Sequence, residues 1–334
     1  MGTLNVAVLG GGSWGTTVAS LVTRNAPVTL WARNSATVDE INSQHTNETY
    51  LPGATLPEKL RATTNLAEAV NSADLVVMAV PSQYFRHVLE EVRVHLRTWV
   101  PIVSLTKGLE LGSLLRMSEI VEEVLPGHPV AVLTGPNLAR EIMDGKAAAS
   151  VIAMEDEIIV QELQRVFGSG LFRVYTNTDV IGCELGGVLK NIIAIAVGMG
   201  DGQGAGDNTR AALITRGLAE ISRLGVAMGG RAETFSGLAG MGDLIATCTS
   251  TQSRNHHVGV ELASGKLSGE ITSGMVMVAE GVRSAPAVMA LAERYAVEMP
   301  IASEICRVLS GESTASRGFR GLLRVVAGAE WEPG

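Results

Sequence analysis

Lys190 stands in the run Glu184-Leu185-Gly186-Gly187-Val188-Leu189-Lys190-Asn191-Ile192-Ile193-Ala194, an otherwise apolar stretch with helical character. An ammonium inside an apolar helix is costly without a partner. Desolvation also lowers its pKa towards the range in which an amine can give up and recover a proton near neutrality. The residue alone leaves two readings open, a proton-transfer amine or a long side chain snorkelling to the surface. Two further segments set cationic or small polar residues beside glycines at turns. Ser104-Leu105-Thr106-Lys107-Gly108-Leu109 follows a strand directly, and Thr134-Gly135-Pro136-Asn137-Leu138-Ala139 ends the next one. A residue just past the carboxyl edge of a parallel strand faces the region where open α/β sheets bind ligands.

A phosphate-binding turn precedes these groups. Gly10-Gly11-Gly12-Ser13-Trp14-Gly15 fits G-x-G-x-x-G. The match alone is weak in a chain with 38 glycines, but here it follows a strand and opens a helix, as a dinucleotide fold requires. Gly10 makes the tight turn, Gly12 lets the backbone approach a diphosphate, and Gly15 allows helix and strand to pack closely. The helix N-terminus supplies N–H groups and positive potential. The second strand ends Leu30-Trp31-Ala32-Arg33-Asn34. NAD-selective sites usually carry an acidic residue here for the ribose 2′-hydroxyl. Arg33 can instead pair bidentately with a 2′-phosphate, so NADPH is expected over NADH. No step in such chemistry calls for a metal.

The elements that must hold these groups change character along the chain. Asn5–Leu9, Val28–Ala32, Asp74–Val80, Pro101–Leu105 and Val130–Leu133 read as strands, with Gly15–Thr23 and Tyr84–Arg97 as intervening helices. The alternation implies parallel pairing and a Rossmann-like, doubly wound α/β sheet. From about Asp179 strand-like runs nearly vanish. Val180–Val197, Asn208–Leu224, His257–Ala263 and Ala285–Tyr295 read as helices. The expected division is an NAD(P)-binding domain over 1–179 and a helical substrate-binding and catalytic domain over 180–334, packed closely because no Pro/Ser-rich linker separates them.

Bulk properties narrow the function. The net charge of −8 argues against a nucleic-acid partner, while a few local cations can still hold an anionic substrate. Cys183, Cys248 and Cys306 form neither a disulfide framework nor a metal-ligand spacing. No secretory leader precedes the first strand, so a cytoplasmic protein is expected, and the Asn47-Glu48-Thr49 sequon is set aside. The apolar stretch Ile192–Met199 is too short to span a bilayer, so no membrane insertion is expected. His256 and His257 are neighbours on a helix and cannot share a metal. Asp201–Asn208 resembles a calcium loop but lacks its closing Glu; it reads as a mobile loop near the site. Met241, Met275 and Met277 read as core filler.

In order and spacing, GGGSWGT, SLTKGLE, LTGPNLA, ELGGVLKNIIAIAVGMGDG, GLAGMGDLIATCTSTQSRNHHVG and VAEGVRSA resemble the signature blocks of bacterial NAD(P)-dependent glycerol-3-phosphate dehydrogenases, and they span residues 10 to about 285. The resemblance implies NAD(P)H-dependent, reversible reduction of dihydroxyacetone phosphate to sn-glycerol 3-phosphate for glycerophospholipid synthesis. It also implies a C-terminal domain like that of 6-phosphogluconate dehydrogenase. Lys190 would be the catalytic acid/base. Lys107 would lie where nicotinamide and substrate meet and stabilise the developing alkoxide, and Asp243 would orient Lys190 and the substrate hydroxyl. Ser253, Arg254 and Asn255 would hold the substrate phosphate, with Gly135 and Asn137 also touching substrate. Gly10, Gly12, Ser13, Trp14, Gly15, Arg33, Tyr50, Ala139, Arg254, Val278 and Glu280 would contact the dinucleotide. Asn137-Leu138 departs from the Ser-aromatic pair of many members. Val18 stands where Ala is common and reads as packing variation. A homodimer through the apolar faces of the helical domain is expected. Hydroxyacid, 6-phosphogluconate and ketopantoate dehydrogenases share the architecture, but Gly242-Asp243 followed by Ser253-Arg254-Asn255 reads as a phosphate-end grip that the hydroxyacid enzymes do not need in this form. A non-enzymatic dinucleotide sensor would have no use for Lys107, Lys190 and Asp243 together.

Overall fold

The structure is a computed structural model that describes residues 4–275 and 277–323. Two compact units emerge. The first comprises the described residues up to Thr106 together with Leu115–Val180, and the second comprises Lys107–Leu114 and the described residues from Ile181 onward. The excursion of residues 107–114 into the second unit leaves no mark in composition or periodicity.

In the first unit β1 (Val6–Leu9), α1 (Ser13–Val22), β2 (Val28–Trp31), α2 (Ser35–Gln44), β3 (Arg61–Thr63), α3 (Leu66–Val70), β4 (Leu75–Met78) and α4 (Ser82–Arg93) come first. There follow β5 (Ile102–Ser104), α5 (Met117–Val124), β6 (Val130–Thr134), α6 (Ala139–Met143), β7 (Ala148–Ala153), α7 (Glu157–Phe167) and β8 (Phe172–Asn177). The eight strands form one sheet in the order β3-β2-β1-β4-β5-β6-β7-β8. Val6 pairs with Val28 on one side and Leu75 on the other. Strand order therefore reverses beside β1, the topological switch point where such sheets bind ligands. Successive residues enter opposite faces. Val6 and Val8 join one apolar cluster, Ala7 and Leu9 the other, so β1 is buried on both sides as an all-parallel strand must be.

The strands read from the sequence pair in parallel as expected. β7, not assigned from the sequence, runs antiparallel to β6, with Leu133 opposite Ile152. Only the five-residue α6 lies between them. A parallel return needs a crossover that carries the chain back to the starting edge; so short a helix leaves β7 to set out from the carboxyl edge instead.

The second unit holds α8 (Val180–Gly202), α9 (Asp207–Ala227), α10 (Ala232–Phe235), a π-helical turn (Leu238–Gly242), α11 (Asp243–Thr249), α12 (Arg254–Ala263), α13 (Ser268–Ser273), α14 (Glu280–Arg294), α15 (Pro300–Leu309) and α16 (Ala315–Leu323). α8 is longer than its apolar stretch suggests, with 23 residues, and by length and composition could cross a membrane. Every residue from Gly182 to Gly200 is nevertheless buried, which marks it as the core helix of this unit. A Cβ at Gly198 would stand 2.0 Å from the His256 carbonyl oxygen, so glycine there lets α12 cross α8 at backbone distance. The helix continues through Asp201-Gly202 and resumes at Asp207, which shortens the expected Gly-rich loop to four residues. Met241 is exposed rather than core.

Candidate active site

Three segments of the second unit bring their polar side chains to one point. Lys190 lies midway along α8. The π-helical turn packs against that helix, since a Cβ at Gly186 would meet the Ala239 carbonyl oxygen at 2.6 Å. The turn delivers Asp243 as the first residue of α11. Asp243 is 1% exposed, Lys190 7% and Lys107 18%. Asp243 bridges the two amines: Oδ1 accepts from Lys190 Nζ, and Oδ2 accepts from Lys107 Nζ at 2.7 Å. Lys190 Nζ also donates to Thr247 Oγ1 at 2.7 Å, and that hydroxyl donates to the Asp243 backbone oxygen at 2.7 Å. Lys190 is thereby pinned by two groups one helical turn apart on α11.

The electrostatics follow from this geometry. Burial pulls the Lys190 amine from 10.5 down to about 7; Asp243 opposes the shift and Lys107 adds to it. Such an amine can both donate and accept a proton at neutral pH. Burial pushes the neighbouring Cys248 thiol up to about 12, so it remains an uncharged packing group.

A second cluster adjoins the first along α8. Asn191 follows Lys190, and its Oδ1 accepts from Asn255 Nδ2 at 2.9 Å. Asn255 Oδ1 accepts in turn from the Gly281 N–H at 3.0 Å, so the Asn255 side chain ties α8, α12 and α14 together. Ser253 caps α12, its Oγ accepting from the His256 N–H at 3.2 Å. His256 Nε2 lies 2.7 Å from Asp201 Oδ2, which links α12 to the last turn of α8. Arg254 is exposed to solvent yet crowded by protein. That crowding holds its guanidinium below the ordinary arginine value, with Glu280 opposing, and the group remains a cation. It donates to the Val278 carbonyl at 2.7 Å, which brings Arg254, Val278 and Glu280 together at the start of α14. Among the described residues no group of three or more His, Cys, Asp or Glu could hold a metal.

The first unit carries the glycine turn at the switch point. Gly10 has φ +127°, and a Cβ there would lie 2.5 Å from the Ala79 carbonyl oxygen; one at Gly15 would lie 2.0 Å from that of Gly10. Neither position admits a side chain. Nothing lies within 4 Å of where a Gly12 Cβ would point, and no side chain caps the first turn of α1. The helix N-terminus is thus open above Gly12, with Ser13 and Trp14 in its first turn. Trp14 packs edge-on against Phe172 at 6.3 Å between centroids. Arg33 stands over the Tyr84 ring at 5.7 Å, a cation–π contact. Tyr50 lies in a turn that starts at Asn47, its N–H donating to the Asn47 backbone carbonyl at 3.1 Å. After β6, Gly135 has φ +125°, and Asn137 Nδ2 donates to Ser150 Oγ at 3.1 Å while its Oδ1 is buried without a partner. Ala139 opens α6.

Residues 5–160 match the family model of the NAD-dependent glycerol-3-phosphate dehydrogenase N-terminus, and residues 179–319 match that of its C-terminus. A relative from Sphingopyxis alaskensis, glycerol-3-phosphate dehydrogenase (NAD(P)+) 2, is 68% identical over 99% of both chains. The chain belongs to the NAD-dependent glycerol-3-phosphate dehydrogenase family. A second relative, glycerol-3-phosphate dehydrogenase (NAD(P)+) 1 from Mycobacterium tuberculosis, is 54% identical over 97% of this chain and 96% of its own. The crystal structure of glycerol-3-phosphate dehydrogenase from Coxiella burnetii superposes with a TM-score of 0.93 at 38% identity, covering 97% of this chain and 99% of that one.

A glycerol-3-phosphate dehydrogenase needs a dinucleotide, and the first unit fits one. The open space above Gly12 and the uncapped N-terminus of α1 form the cradle that a diphosphate requires. Sequence reasoning missed three residues around these sites: Thr247, Tyr84 and Asn47. Thr247 lies four residues after Asp243, hence on the same helix face, and that spacing could have revealed it. Nothing local marks Tyr84 or Asn47, whose partners lie 51 and 36 residues away in the chain.

Proposed function

We propose that this chain reduces dihydroxyacetone phosphate to sn-glycerol 3-phosphate reversibly, with NADPH preferred over NADH. We assign it to the cytoplasm as a homodimer, supplying glycerophospholipid synthesis. The observation that carries the reading is the buried carboxylate of Asp243 held between two lysines, one of which titrates near neutrality.

Bound nicotinamide supplies the hydride that reduces the carbonyl carbon. The chain's own residues manage the oxygen. As negative charge builds there, Lys190 gives its proton to form the hydroxyl and is left neutral, and solvent restores its proton before the next turnover. Lys107 stabilises the developing alkoxide and touches both cofactor and substrate, acting where water is excluded and a fixed charge is most effective. Asp243 and Thr247 hold the Lys190 amine in one orientation through both protonation states. Ser253, Arg254 and Asn255 take the phosphate at the α12 N-terminus, where backbone N–H groups join the guanidinium. That grip, remote from the reacting carbon, positions the carbonyl, and Gly135 and Asn137 add contacts to the substrate. Gly10, Gly12, Ser13, Trp14, Gly15, Tyr50 and Ala139 cradle the dinucleotide, Val278 and Glu280 meet its far side with Arg254, and Arg33 pairs with the 2′-phosphate. Residues 1–179 carry most of the dinucleotide contacts and 180–334 most of the substrate contacts, with Lys107, Gly135 and Asn137 reaching the substrate from the first range and Arg254, Val278 and Glu280 the dinucleotide from the second.

The deciding experiment follows NADPH and NADH oxidation spectrophotometrically with dihydroxyacetone phosphate. Turnover with both cofactors, at higher kcat/KM for NADPH, is expected. A folded protein that binds NADPH but is inert would sink the enzymatic reading, and a clear NADH preference would sink the role of Arg33.

A further inference from the structure

Asn47 is fully buried, although it sits in a loop between α2 and β3. The loop is built around it. His45 closes α2 in the left-handed region at φ 54°, and its carbonyl accepts from the Leu56 N–H at 2.8 Å. The Glu40 carboxylate accepts from the Glu48 N–H at 2.7 Å and from Thr46 Oγ1 at 2.8 Å. From this fixed position Asn47 Nδ2 donates to the Gly11 carbonyl at 3.0 Å and to Thr16 Oγ1 at 2.9 Å. Its backbone carbonyl accepts from the N–H groups of Tyr50 at 3.1 Å and Leu51 at 2.7 Å.

We infer that Asn47 is a positioning residue for the dinucleotide, a latch that sets the direction of the Gly12 N–H and ties the Tyr50 turn to the glycine turn. The inference rests on the proposed dinucleotide reading of that turn. A trans peptide is planar, so its C=O and the following N–H point opposite ways. Drawing the Gly11 carbonyl inward onto Asn47 therefore turns the Gly12 N–H away from Asn47, at a residue whose Cβ direction is open. Flanking glycines leave the Gly11–Gly12 peptide otherwise free to rotate, and rotation would present a carbonyl oxygen to the diphosphate. The Thr16 bond secures the same amide to the first turn of α1, and the Asn47 carbonyl holds the turn that carries Tyr50.

The test titrates NADPH into the full chain and measures steady-state kinetics. Asn47→Ala should raise the NADPH Kd about tenfold, the size of two net hydrogen bonds, and raise its KM in step. kcat at saturating NADPH and the KM for dihydroxyacetone phosphate should stay within about twofold of wild type. Asn47→Asp, although isosteric, should bind at least as weakly as the alanine variant, because an oxygen would then face the Gly11 carbonyl. A lower thermal midpoint with unchanged Kd in both variants would reduce Asn47 to loop packing and overturn the latch. Should neither variant fold, Thr16→Val decides: a Kd raised about fivefold, as for the loss of one hydrogen bond, supports the latch and an unchanged Kd overturns it. Failure of the wild-type chain to bind NADPH would instead sink the dinucleotide reading itself.

Discussion

At the scale of single residues, one carboxylate serves two amines. Removing a member of a buried charge cluster leaves the others uncompensated, so substitutions here should act on chemistry before binding. Lys190→Ala should lower kcat by about 10²- to 10⁴-fold, the usual contribution of a positioned acid/base, while NADPH titration shows ordinary affinity. Near-normal turnover would remove Lys190 from the mechanism. Arg254→Ala should chiefly raise the KM for dihydroxyacetone phosphate, by about 10- to 150-fold for a charged hydrogen bond; an unchanged KM would place the phosphate elsewhere. The pH dependence has a definite sign. In reduction the protonated amine is the active form, so kcat/KM should fall as pH rises through about 7, and in oxidation it should rise across the same range. Asp243 raises the Lys190 pKa, so Asp243→Asn should move the descending limb to lower pH. A limb near the ordinary lysine value in the wild-type protein would contradict the buried-amine account. Sequence alone singled out Lys190, because a charge in an apolar helix is anomalous wherever it occurs. Residue type and periodicity could not show that Asp243 meets that charge or also holds Lys107, since 53 and 136 residues separate Asp243 from its two partners; only the family resemblance implied that Asp243 orients Lys190.

At the scale of elements, legibility followed burial. β1, β4, β5 and β6 are largely apolar runs buried on both faces, and β2 buries Val28 and Leu30 with Thr29 and Trp31 partly covered; such strands declare themselves. β3 has only three residues, β7 begins with two alanines, and β8 alternates Phe172 and Val174 with Arg173 and Tyr175 near the sheet edge. β3 and β8 carry no apolar run, and the 151–153 run of β7 is only three residues long inside the strand; none of the three was assigned from the sequence. A helix cap borrowed from a distant helix was equally invisible. Glu220 on α9 accepts from the N–H groups of Ile301 at 2.7 Å and Ala302 at 3.2 Å, capping α15 from outside its own sequence. Burial pushes this carboxyl from 4.5 up to about 7, with both backbone donors opposing. A raised folded-state pKa means that folding takes up a proton between pH 4.5 and 7. Wild-type stability attributable to Glu220 therefore falls as pH rises through that window, by about 3 kcal/mol at most. Glu220→Gln keeps an acceptor for the cap and carries no charge. The stability difference between variant and wild type, read from denaturant unfolding, should shift in favour of the variant between pH 4.5 and 7.5. A difference independent of pH would show that the carboxyl titrates at its usual value.

At the scale of the whole molecule, an acidic chain of net charge −8 is assigned two anionic ligands, so local cations must outweigh the average field. Arg33 carries that argument for cofactor choice, and the Tyr84 ring beneath it fixes the guanidinium at the carboxyl end of β2. Ligand linkage turns the choice into a stability measurement free of turnover. With either cofactor far above its Kd, the stabilisations differ by RT ln of the Kd ratio. A tenfold preference is worth about 1.4 kcal/mol. With an unfolding entropy of about 2.1 cal/mol/K per residue, a chain of 334 residues melting as one body gains about 2 °C more from NADPH than from NADH. Should the first unit melt by itself, the same free energy is divided by about half the entropy, and the gap on that transition widens to about 4 °C. Arg33→Ala should close the gap by weakening NADPH while leaving the NADH shift in place. An Arg33→Ala protein that keeps the full NADPH advantage would mean that the 2′-phosphate is read by another residue.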